Sequence, residues 1–148
     1  MPQRSAHTSW SGGLQDGSGH VTLTSSGAGS YDVSFPKRAA ESADGTTSPE
    51  ELIAAAHAAC YAMQLSAYIA KAGGTPISSE VDSTVTLGPD PAGGFRITQI
   101  DLMVRSKVEN MDAATFQSVA EDAKATCPVS KALTGTTITL DAALSEDA

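Results

Sequence analysis

Basic residues are scarce in this chain of 148 residues: nine Lys and Arg stand against 17 Asp and Glu, a formal net charge of −8. Phosphate backbones are gripped by clustered cations, and Lys37-Arg38 is the lone adjacent basic pair, so nucleic acid is not an expected partner. The charge suits solubility and a neutral or weakly charged substrate. Long apolar runs are missing as well. The longest, Leu52 to Met63, is about a dozen residues, short of the roughly 20 that span a bilayer, so no membrane is expected. No charged leader with a following apolar run opens the chain, so no signal peptide is expected and the cytoplasm is the default address.

Cysteine is limited to Cys60 and Cys127. In a reducing compartment such a pair is not expected to be a structural disulfide, which leaves reactive, metal-binding or inert roles. Metal is disfavoured: neither cysteine lies in a Cys-x-x-Cys or Cys-x-x-His arrangement, and three scattered histidines make no site. No flavin or nicotinamide motif is present, so no bound cofactor is expected. Repeats, low-complexity blocks and interdomain linkers are also lacking. With 41% hydrophobic residues, the expectation is one globular domain over residues 1–148.

What is present centres on a long helix. Ser48 can cap it, Pro49 suits its first position, and Glu51 completes a Ser-x-x-Glu capping box. Alanine-rich sequence carries it through Lys71, where Gly73-Gly74 and Pro76 end it after about 24 residues, about 36 Å. Apolar residues occupy most of its circumference, so it is expected to be buried all round, part of it against a second subunit. Three short strands precede it, His7 to Trp10, His20 to Ser25 and Ser30 to Phe35, separated by glycine-rich turns and forming a meander with one covered face. Pro36 to Thr47 reads as a polar connection.

After the helix, Ser79 to Leu87 alternates as a half-buried strand and Phe95 to Val108 returns, with a bulge partway along. Asn110 or Asp112 caps a second helix presenting Phe116, Val119, Ala120 and Ala123. Pro128 breaks that helix and opens a short one to Leu133; Thr136 to Leu144 is the last strand, and Ser145 to Ala148 a frayed tail. The order βββ-α-ββ-αα-β, with antiparallel hairpins, places the chain in the α+β class, an antiparallel sheet packed with a long central helix.

Position alone favours a core role for Cys60, inside an apolar helix. Cys127 precedes a proline-initiated helix, whose N–H groups and dipole favour a thiolate, and Lys124 and Lys131 lie nearby in sequence; inert and reactive readings stay open. Glu51 is explained by capping and Glu50 by the dipole. Arg38 reads as a surface charge, and His57 as a packed histidine with a backbone hydrogen bond. Tyr61 and Gln64 carry no assignment.

Together these residues resemble a known family. The run Thr47-Ser48-Pro49-Glu50-Glu51-Leu52-Ile53-Ala54-Ala55-Ala56-His57-Ala58-Ala59-Cys60 is similar to the first signature of the OsmC/Ohr organic hydroperoxide reductases, and Cys127-Pro128-Val129-Ser130-Lys131-Ala132-Leu133 to the second. The resemblance implies an intertwined α+β homodimer around two long central helices. It implies a thiol peroxidase in which Cys60 attacks the peroxide and Cys127 resolves the product through a Cys60–Cys127 disulfide, recycled by a dithiol of the lipoyl type. It also implies an arginine and a glutamate beside the first cysteine. Glu50 matches that glutamate, and Arg38 matches the arginine as the OsmC branch places it.

Free cysteine is mostly protonated at neutral pH, so a mid-helix Cys60 needs a nearby cation, and Arg38 held by Glu50 is the candidate. Glu50 and Cys60 are ten residues apart, about 15 Å along a helix, so Glu50 is expected to serve the Cys60 of the other subunit. An apolar setting favours an organic hydroperoxide over hydrogen peroxide. The competing readings are a non-catalytic dimeric binding protein and a redox sensor using the same thiols.

Overall fold

The computed structural model describes residues 1–146; the expected fraying at Asp147 and Ala148 lies outside them. The chain divides into two compact units, Met1–Leu52 and Ile53–Ala148.

In the first unit, β1 (His7–Ser11), β2 (Ser18–Thr22) and β3 (Ser30–Val33) form the expected antiparallel meander, pairing His7 with Thr22 and Gly19 with Val33. The β1–β2 turn depends on Gly17, where a Cβ would stand 2.3 Å from the Gly13 carbonyl oxygen and 2.9 Å from the Trp10 ring. The meander's covered face is smaller than the alternation suggested. Val21 is buried, but Tyr31 is 40% exposed and Phe35 has left the strand.

Phe35 instead begins α1 (Phe35–Arg38), a single turn within what the sequence suggested was irregular chain. Ser34 caps it by accepting from the Lys37 N–H at 3.3 Å, and Pro36 brings a φ already suited to the first turn. The helix α2 (Pro49–Lys71) then begins as expected. Its capping box is half formed: the Ser48 hydroxyl accepts from the Glu51 N–H at 3.1 Å, but the Glu51 carboxylate accepts from the Thr47 hydroxyl rather than turning back to Ser48.

The second unit holds most of α2 with β4 (Thr75–Pro89), β5 (Phe95–Glu109), α3 (Ala113–Thr126), α4 (Pro128–Ala132) and β6 (Thr137–Leu144). β4 and β5 form a long antiparallel hairpin with Val81 opposite Val104, and the expected bulge falls where Thr86 faces Gln99 but Leu87 faces Ile97. The third strand departs from the antiparallel expectation: β6 runs parallel to β5, with Leu102 beside Leu140. The intervening α3 and α4 supply the long crossover that a parallel neighbour requires, so the sheet is mixed within an α+β fold. Asp112 caps α3 by accepting from the Thr115 N–H at 2.7 Å.

Only one stripe of α2 is buried by its own chain. His57, Tyr61, Leu65 and Ile69, spaced by four, are each 0% exposed, and the last three pack with Leu102, Val104 and Phe116. Burying three such apolar side chains contributes about 1.5–3 kcal/mol each. The reverse face, with Ala55, Ala59, Ala67, Ala70 and a 74% exposed Met63, is open within one chain; the expectation placed part of the helix against a second subunit. At 23 residues and a mean hydropathy of 1.3, α2 also meets the length and composition of a membrane-crossing helix, which core helices meet as well. The uninterrupted run ending at Met63 understated its apolar length.

Candidate active site

Cys60 sits at the start of the fourth turn of α2, half-buried, and Cys127 is the buried residue between α3 and α4. Pro128 disfavours helical geometry at Cys127, whose φ of −56° and ψ of 123° end α3 and cap α4. This break turns the Cys127 side chain toward α2, and the two sulfurs lie 3.2 Å apart.

Their surroundings treat the two thiols oppositely. Burial by itself would raise Cys127, but the Ser130 N–H, the Cys60 thiol, the Ser130 hydroxyl and the Val129 N–H all favour its thiolate and bring it below the ordinary thiol value. Cys60 is pushed up, first by burial and then by hydrogen bonding to Cys127 and the negative charge there, against an opposing Val129 N–H. Within one chain, therefore, Cys127 loses its proton more readily than Cys60. The position of Cys127 before a proline-initiated helix had pointed the same way.

Three α2 residues reach the same neighbourhood. His57 Nε2 lies 2.7 Å from Ser130 Oγ, and its Nδ1 has no partner among the described residues. Burial lowers the His57 pKa, keeping the ring neutral. His57 is packed, as expected, but its hydrogen bond goes to a side chain rather than to backbone. The Tyr61 hydroxyl donates to the Ala120 carbonyl at 3.0 Å. Gln64 Nε2 donates to Thr126 Oγ1 at 2.9 Å, and Thr126 in turn donates to the Asp122 carbonyl at 2.7 Å. Tyr61 and Gln64 thus tie α2 to α3 just before Cys127. Ser130 was quoted only as part of a signature; the i+3 spacing of Ser130 from Cys127 and of Cys60 from His57 was the available signal.

Arg38 and Glu50 meet in the first unit. Arg38 Nε donates to both Glu50 oxygens at 3.0 and 3.1 Å, and Nη2 donates to Oε1 at 2.6 Å. Helix α1 presents Arg38 in its last turn, and the first turn of α2 presents Glu50, only 7% exposed. Arg38 also borders a cavity of about 460 Å³ lined by Trp10, Leu14, Val21, Phe35 and Leu52, an apolar space with one cation at its wall. Among the described residues, no three His, Cys, Asp or Glu side chains cluster as a metal site.

Residues 42–141 match the OsmC-like protein family. The chain belongs to that family. It is 42% identical over 132 residues to the peroxiredoxin OsmC of Escherichia coli strain K12, covering 89% of this chain and 90% of that one. It is 36% identical over 118 residues to the organic hydroperoxide resistance protein OhrB of Bacillus subtilis strain 168, covering 79% and 82%. The crystal structure of that OhrB superposes with a TM-score of 0.72 at 32% identity, over 93% of this chain and 97% of the other. An organic hydroperoxide resistance protein from Elizabethkingia anophelis gives a TM-score of 0.79 at 25% identity, over 98% of each chain. This OsmC-like protein is thus a member of a group of peroxidase-type enzymes concerned with hydroperoxides, with the α+β fold of that group.

Proposed function

We propose that this protein is a cysteine-based reductase of organic hydroperoxides that works as a homodimer. The observation that carries the reading is the 3.2 Å approach of Cys60 and Cys127, residues 67 apart in the sequence. A Cys60 thiolate attacks the distal peroxide oxygen: an S–O bond forms, the O–O bond breaks, and the departing alkoxide takes a proton to become the alcohol. Cys127 then attacks the Cys60 sulfenic sulfur; the S–S bond forms, the S–O bond breaks, and water leaves. A dithiol of the lipoyl type reduces this disulfide by two exchange steps, leaving two thiols and its own cyclic disulfide.

Arg38 and Glu50 complete the site from the second copy. Ten residues, about 15 Å of helix, separate Glu50 from Cys60, whereas antiparallel pairing of two α2 helices about an axis near Ala55 brings Glu50 of one copy beside Cys60 of the other. The open alanine and Met63 face of α2 supports such pairing. A guanidinium beside Cys60 draws the negative charge from Cys127 to Cys60, a shift of one proton along the hydrogen bond between the sulfurs. The cation-walled apolar cavity suits the organic body of the substrate. On this reading both units work as one functional domain, in the cytoplasm where dithiols stay reduced.

The test follows the loss of cumene hydroperoxide with dihydrolipoamide present. Catalytic turnover supports the reductase; no turnover leaves the thiols as spectators in a dimeric binding protein.

A further inference from the structure

One buried titratable group has no part in the steps above. His57 is 0% exposed, Ser130 is 5% exposed and Cys127 is 0% exposed, and the three form a continuous polar path through an apolar region. Ser130 is the shared member: its Oγ lies 2.7 Å from His57 Nε2, and it stands three residues after Cys127 in α4, its N–H and hydroxyl both among the groups that favour the Cys127 thiolate. A serine hydroxyl carries one proton, so it donates to one neighbour and accepts from the other. We propose that His57 is a positioning residue for Cys127: His57 Nε2–H donates to Ser130 Oγ, and the Ser130 hydroxyl donates to the Cys127 thiolate.

The unpartnered Nδ1 decides the direction of this chain. A neutral imidazole has one N–H, at Nδ1 or at Nε2. With the proton on Nδ1, a buried N–H is orphaned and Nε2 draws the Ser130 proton away from the sulfur. With the proton on Nε2, the orphan is an acceptor lone pair, the cheaper group to leave unmet, and Ser130 is turned toward Cys127. Burial lowers the His57 pKa, so the ring holds a single N–H in either tautomer.

The catalytic consequence rests on the reductase reading above; the donor chain itself does not. When a dithiol thiolate attacks the Cys60 sulfur of the disulfide, a new S–S bond forms, the Cys60–Cys127 bond breaks, and its electron pair leaves on Cys127. A donor aimed at Cys127 stabilises that leaving thiolate, and the same bond favours the ionised Cys127 that attacks the sulfenic acid.

Two measurements on the reduced protein test the inference. In ¹⁵N-histidine-labelled wild-type protein, the ring shifts and couplings of His57 are expected to show a neutral Nε2–H tautomer; an Nδ1–H tautomer overturns the proposal. In a Cys60→Ser background, thiolate absorbance against pH reads the apparent pKa of Cys127. Ser130→Ala and His57→Leu are each expected to raise it by about one pH unit, a tenfold loss of thiolate at a given pH, while His57→Gln, which retains a donor, restores it. Unchanged titration in Ser130→Ala overturns the proposal, and that variant with the wild-type spectrum suffices even if His57→Leu does not fold. Neither readout uses peroxide, so absent turnover with these results would remove the reductase and leave the donor chain standing.

Discussion

Arg38 holds Glu50 by three charge-assisted hydrogen bonds, and the Glu50 side chain is 9% exposed while that of Arg38 is 34% exposed. The buried partner depends on the accessible one. Replacing Arg38 by Met strands a carboxylate away from water and is expected to destabilise the protein by about 2 kcal/mol, below the range for fully buried pairs because Arg38 is partly solvated. Glu50→Gln in the same chain is expected to recover much of that loss. Urea denaturation of the two single variants and the double variant checks this; additive losses would contradict it.

The placement of Arg38 relative to the thiol is tested by mixing subunits. Arg38→Met and Cys60→Ser homodimers are each expected to be inactive, with Arg38→Met lowering kcat/KM about 10²-fold or more, as for loss of one preorganised donor. A refolded mixture is expected to regain activity, because one of the two sites in each heterodimer then combines an intact Arg38 from one copy with an intact Cys60 from the other. A mixture as inactive as its parents contradicts the arrangement across subunits.

The open face of α2 makes a separate prediction. Met63→Glu places a charge at its most exposed large apolar residue and is expected to shift sedimentation from dimer to monomer and abolish peroxide turnover together. An active Met63→Glu monomer contradicts the shared site.

Acid stability reports on His57. Burial lowers its folded pKa below the ordinary histidine value of about 6.5, so the unfolded chain binds the extra proton first. The associated stability is fully present above about pH 6.5 and is lost as pH falls through the lower folded value. The carboxylates of Asp44, Asp101 and Asp112, lowered from 3.8, release their contributions only at lower pH. Unfolding free energy measured between pH 4 and 7 is therefore expected to decline toward acid in wild type, and less steeply in His57→Leu. Parallel curves contradict the assignment.

Local chemistry made much of this legible from the residues. Pro49, Lys71 and Gly73 bound α2 where capping and termination rules place them, and of the two candidates Asn110 and Asp112 it is Asp112 that caps α3. A bulge in β5 was expected from the slip between Asp101 and Val104, but pairing there is regular and the bulge falls between Ile97 and Gln99. Non-local facts were not legible. Nothing in the Ile138, Leu140, Ala142 alternation distinguishes a strand parallel to β5 from one antiparallel to it, because both bury the same face. The α1 turn was hidden by Pro36, which reads as loop and equally suits a first helical turn. Glu50 was explained well enough by the helix dipole that its contact with Arg38 came into view only through a family resemblance. The link between His57 and Ser130 joins residues 73 apart, beyond the reach of any periodicity.

The roles of the two sulfurs are tested most directly by a single turnover. Reduced wild type, Cys60→Ser and Cys127→Ser are each mixed with one equivalent of cumene hydroperoxide, then examined by dimedone trapping and intact mass. Wild type is expected to form an intramolecular disulfide, the sulfurs closing by about 1.2 Å from their 3.2 Å separation. Cys127→Ser is expected to accumulate a trappable sulfenic acid on Cys60, and Cys60→Ser to leave the peroxide unreduced. Rapid oxidation of Cys127 in Cys60→Ser, with an unreactive Cys60 in Cys127→Ser, would show the roles to be reversed and contradict the account.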